Sequence, residues 1–167
     1  MSKLMNSNLL LVLSLAITSV GFGSTTATAA DLVNTSGASG VALNGYDPVA
    51  FFTDKKPVNG NFQITSRHRG ATYFFASEGH KAMFARNPDK YAPQCGGFCA
   101  FGVSVGALFP VDINTWQVRN NKLYLNLNPD ILKMFNSDLD GNITKAAKNW
   151  PGLAAKHGKQ TSISPAK

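Results

Sequence analysis

Glutamate is almost missing from this 167-residue chain: Glu78 is the only one, and it faces three histidines and two cysteines. That absence removes the glutamate-based catalytic pairs. No Gly-x-Ser-x-Gly elbow and no His-Glu-x-x-His pair is present, so the expectation is a non-enzymatic protein with no catalytic residue. Dense basic runs are missing too. The formal net charge is +7, but Lys55, Lys56, Arg67, Arg69, Lys81, Arg86, Lys90 and Lys122 are scattered. A spread of that kind describes a solvated surface and excludes nucleic acid as the expected partner.

Nor is there an apolar run long enough for a comfortable membrane span of roughly 20 residues. The longest, from Leu9 to Val20, is interrupted by Ser14, Thr18 and Ser19. It follows Lys3 and leads into Ala27-Thr28-Ala29-Ala30, which is the layout of a signal peptide with Ala27 and Ala29 at the −3 and −1 positions. Residues 1–30 are therefore expected to direct export, to the periplasm or the medium. Membrane contact would come only through that segment left uncleaved.

Residues 31–40 are polar and glycine-rich and read as a linker. A single folded domain is expected over 41–153, and the tail 154–167 is expected to be disordered. The fold class expected is α+β: a small antiparallel sheet, made of a meander plus a C-terminal hairpin, with a few short helices. In the meander, Val49 to Thr53 reads as a strand after the Gly45-Tyr46-Asp47-Pro48 turn. Phe62 to Ser66 and Ala71 to Phe75 supply two more. Ser77 should cap a helix ending at Asn87-Pro88, with His80, Met83, Phe84 and Asn87 on one face. Thr115 to Arg119 and Lys122 to Asn126 alternate about Asn120-Asn121, a turn that tolerates positive φ. Pro129 opens a helix capped by Asn128, and another runs from Ile143 to Asn149, stopping at Trp150-Pro151. The core rings expected are Phe51, Phe62, Phe74, Phe84, Trp116, Tyr124 and Trp150, each contributing about 1.5–3 kcal/mol when buried.

Four blocks in order, Gly45 to Phe52, Tyr73 to His80, Phe84 to Tyr91 and Leu123 to Asn126, resemble the YHS domain family in its exported bacterial form. The resemblance covers roughly Val41 to Leu153. It implies a small α+β module suspected of metal binding through cysteines placed after an Asp-Pro-Val and on either side of a Ser-Glu-Gly. Here those positions hold Ala50, Ala76 and His80, so His80 alone keeps a donor.

Soft metals need two or more thiolate or imidazole donors at one point. The candidates are His80, Cys95 and Cys99, with copper or zinc as the ion. Three readings of Cys95-Gly96-Gly97-Phe98-Cys99 stand side by side: a disulfide or a pair of buried thiols, metal ligation, and a thiol redox site. A fourth reading of the protein is a structural module that docks on an envelope protein through the glycine-rich Cys95–Pro110 stretch. Asn136 to Ile143 has the early oxygen donors of an EF-hand, yet its twelfth position is Ala147; a helix-to-helix turn explains the same residues.

Overall fold

The computed structural model describes residues 32–36 and 39–158; the expected signal peptide lies outside them. Strands β1 (Thr35–Ser36), β2 (Val41–Ala42), β3 (Asn61–His68) and β4 (Ala71–Phe75) form a sheet in the order β1-β2-β4-β3. A separate hairpin pairs β5 (Asp112–Arg119) with β6 (Lys122–Asn126), Arg119 opposite Lys122. Helices α1 (Ala50–Thr53), α2 (Glu78–Arg86), α3 (Pro88–Tyr91), α4 (Ala100–Ser104), α5 (Pro129–Ser137) and α6 (Leu139–Gly158) complete an α+β fold. None of the described helices is long and apolar enough to cross a membrane.

Local signals explain most of these elements. Ser77 accepts the His80 amide at 3.1 Å and starts α2, whose last turn gives way at Asn87-Pro88. Asn128 does the same for Ile131 at 2.9 Å ahead of Pro129. Asn120 and Asn121 take φ of 51° and 59°, the left-handed pair a two-residue hairpin needs. Asp138 accepts the Gly141 amide at the start of α6, and Asn142 donates to the Phe135 carbonyl at 3.0 Å at the end of α5. The Asn136–Ile143 stretch is thus the helix-to-helix turn.

Four expectations change. The first concerns Val49 to Thr53, which is helical: Asp47 holds the Val49 amide at 2.8 Å and turns the chain, so Phe51 enters the core from α1. The meander therefore shrinks to the β3–β4 pair, and the sheet is mixed, because β2 runs parallel to β4 with Val41 beside Thr72. Second, Phe62 is 73% exposed. A register shift between Asn61 and Thr65 takes the start of β3 off the buried face. Third, the stretch read as linker contributes β1, and Asn34 donates its backbone N–H to Gly96 at 2.8 Å and its side-chain amide to Gly97 at 3.1 Å. Finally, α6 passes through Pro151 and runs to Gly158. An internal proline costs about 3 kcal/mol, but Trp150 and Leu153 pack on the cluster of Cys95, Val103 and Ala146, and Ala154 is 1% exposed.

The main core lies between the sheet, α2 and the hairpin: Phe51, Tyr73, Phe75, Phe84, Leu123 and Leu125 are all buried. Phe51 meets Trp116 edge-on at 5.1 Å, and Phe84 contacts Tyr73 at 5.0 Å and Phe75 at 5.2 Å. The opposite face of β6 carries Lys122, Tyr124 and Asn126. Tyr124 packs with Ala100 and Phe135 in a second cluster.

Candidate functional site

Asp47 organises the most unusual polar cluster of the molecule. The chain ahead of α1 is clamped to residues 58–60: Asp47 donates its amide to the Val58 carbonyl and Gly60 donates to Gly45, both at 2.9 Å. Pro48 then restricts the turn, and the Asp47 carboxylate is left fully buried. Burying a charge is tolerable only when its lone pairs are answered. Oδ1 accepts the Val49 amide at 2.8 Å; Oδ2 accepts the Ala76 amide at 2.8 Å, just past β4, and lies 2.7 Å from His80 Nδ1 in the first turn of α2.

This one carboxylate therefore joins the start of α1, the end of β4 and the start of α2. Of the three positions at which the family resemblance places its ligands, Ala76 and His80 donate to Asp47, and Ala50 follows Val49, whose amide Asp47 also holds.

The pairing also fixes the imidazole. With Nδ1–H donated to Asp47, the lone pair of a neutral ring is on Nε2. Nε2 lies 3.4 Å from Thr53 Oγ1 at the end of α1. That hydroxyl has closer acceptors, Asp54 Oδ1 at 2.7 Å and the Val49 carbonyl at 3.2 Å. Its single proton is drawn away from His80, and Nε2 keeps an uncommitted lone pair. The side chain is 18% exposed.

The two cysteines have other surroundings. Both are free and buried. Cys95 sits in a left-handed turn (φ 54°) between Gln94 and Gly97 and packs with Val103, Ala146 and Trp150. Burial, with a smaller contribution from the neighbouring Cys99, pushes its thiol from 9.0 up to about 12. Cys99 starts α4: its sulfur accepts the Gly102 amide at 3.5 Å and donates to Asn126 Oδ1 at 3.6 Å. The expected trio His80, Cys95 and Cys99 does not gather. Among the described residues no group of three or more His, Cys, Asp or Glu side chains is placed to hold a metal ion. The reason is topological: His80 faces α1 across Asp47, whereas the sulfurs face α6 and β6.

From the sequence Tyr46-Asp47 is a polar pair that an Asp-Pro turn accounts for, and Thr53 carries no signal. A sign was there in retrospect, since an aspartate enclosed by Tyr46, Pro48, Val49 and Phe51 is headed for burial and needs donors. Asn126 gave no such sign. It is fully buried, accepts the Phe101 amide at 3.1 Å as well as the Cys99 thiol, and leaves Nδ2 without a protein partner among the described residues.

No curated protein and no solved structure matches the chain. The family model of the YHS domain matches residues 49–95, from the residue whose amide Asp47 holds to the first cysteine.

Proposed function

We propose that this is an exported, non-enzymatic binding module that takes up a soft or borderline metal ion, copper or zinc, through Nε2 of His80. The observation that carries the reading is the 2.7 Å contact between His80 Nδ1 and the buried Asp47 carboxylate. A carboxylate behind an imidazole sets its tautomer and fixes its plane, which is how ligating histidines are commonly supported. The family is often linked to metal-handling proteins, which agrees with this chemistry. With alanine at 50 and 76, the protein supplies one strong donor, and the remaining positions on the ion fall to water or to a donor brought by a partner. Such a site suits exchange of the ion better than its permanent storage.

The thiols contribute little to this reading. A reactive or metal-binding cysteine needs its thiolate, and burial that pushes Cys95 up to about 12 opposes that form. The same burial disfavours the redox alternative.

Calorimetric titration of the full-length reduced protein with zinc tests the proposal. The His80→Ala variant is expected to bind at least about 10-fold more weakly than the wild type, while a Cys95→Ala, Cys99→Ala variant binds as the wild type does. Equal affinity in wild type and His80→Ala, or loss confined to the cysteine variant, would overturn it.

A further inference from the structure

Two adjoining cavities open over the Gln94–Gly97 turn, lined by none of Asp47, Thr53 and His80. One, about 210 Å³, is bounded by Tyr124, Ile143, Ala146, Ala147 and Trp150; the other, about 290 Å³, by Arg69, Asp89, Pro93 and Gly96. Both share Gln94, Cys95, Lys122 and Trp150, so they are two compartments of one groove. It lies on the seam between the family-matched residues and the hairpin and helices that follow, and seams of this kind are a common place for small-molecule sites.

The compartments differ in chemistry. The first has hydrocarbon and aromatic walls, with the indole of Trp150 as the largest flat surface. The second has a charged rim. There Asp89 is already answered by Arg69 at 2.8 Å and His68 at 3.0 Å. Lys122 is exposed and has no carboxylate partner among the described residues. Cys95 on the floor stays neutral at ordinary pH and adds no negative charge. The rim is left with a surplus positive charge next to an apolar slot.

We propose that this groove binds a small organic anion with a flat ring, the ring lying against Trp150 and the negative group toward Lys122. Gln94 offers an amide for a polar substituent at the junction of the compartments.

Titration of the ¹⁵N-labelled full chain with indole-3-acetate, and with uncharged indole-3-acetamide as its control, tests this by NMR. The resonances of Gln94, Lys122 and the Trp150 side chain should move, and the acid should bind about 5-fold more tightly than the amide, as a single near-surface charge contact allows. In Lys122→Gln, an exposed substitution that leaves the fold intact, that preference should vanish. Unmoved resonances, shifts confined to another surface, acid and amide binding alike, or a preference that survives in Lys122→Gln would each overturn the proposal.

Discussion

Replacing Asp47 by alanine removes one acceptor group that three donors share. The Val49 N–H is wholly enclosed, and leaving it unpaired costs about 1–3 kcal/mol. The Ala76 N–H and the His80 ring are partly open to water, so each lost bond there costs only about 0.5–1.5 kcal/mol. The total is about 4 kcal/mol, a large part of the stability of an ordinary domain, and should lower Tm by about 15 °C. Asp47→Asn should recover only part of it, because its Oδ1 can still accept the Val49 amide while its NH₂ faces the Ala76 N–H, which needs an acceptor. His80→Ala removes only one of the three bonds from a side chain already in partial contact with water, and should cost about 1 kcal/mol. Urea unfolding of the three variants at neutral pH measures this order. An Asp47→Ala protein within about 1 kcal/mol of the wild type, or a His80→Ala protein less stable than Asp47→Ala, would refute the claim that the carboxylate is the keystone and the imidazole its tenant.

Gly96→Ala should be damaging as well: φ is +59°, and an added Cβ would strike the Leu32 carbonyl and come within 2.8 Å of the Trp150 ring. A loss of about 2–3 kcal/mol in chemical unfolding is expected, whereas Gly70→Ala, where a Cβ meets nothing within 4 Å, should show only the backbone component. Alkaline pH should unfold the domain early. Burial raises the Cys95 thiol from 9.0 and the Tyr73 phenol from 10.0, each to about 12. The neutral forms are thus favoured in the folded state, and the stability they contribute is complete below the unfolded values and lost between roughly pH 9 and 12. The slope approaches about 1.4 kcal/mol per pH unit per group. Cys95→Ala should flatten the lower part of that decline, and an unchanged profile would contradict the assignment. Asp112 moves in the opposite direction, held below 3.8 chiefly by the Asn114 backbone N–H. Its contribution is present above the ordinary carboxylate value and is lost as pH falls through the lowered one, so Asp112→Asn should lessen acid sensitivity only in that acidic range.

Local chemistry written in short stretches could be read directly from the residues. Ser77 and Asn128 as caps, the Asn120-Asn121 hairpin and the Asp138 turn depend on groups within three or four positions, and each is where the sequence puts it. What could not be read depends on distant partners. Val49 to Thr53 has the composition of a strand, yet one buried side-chain acceptor at Asp47 bends it into a helical turn. Pro151 marks a helix end by every local rule, and it is overruled because Trp150 and Leu153 find apolar surface on Val103 and Cys95, some fifty residues earlier in the chain. The same holds for the site. His80 could be named as the surviving donor by comparison with the family, and its carboxylate partner lies thirty-three residues away. The cysteines are near it in sequence and of the right softness, but the fold turns their sulfurs toward other partners.

The protonation of the His80 ring is the most direct measurement of all. Long-range ¹H–¹⁵N correlation spectra of the neutral imidazole should show a proton on Nδ1 and a bare Nε2, and on addition of zinc the Nε2 resonance should be the one that moves. A ring found with its proton on Nε2, or one indifferent to zinc while other residues respond, would mean that Asp47 does not prepare His80 for a ligand.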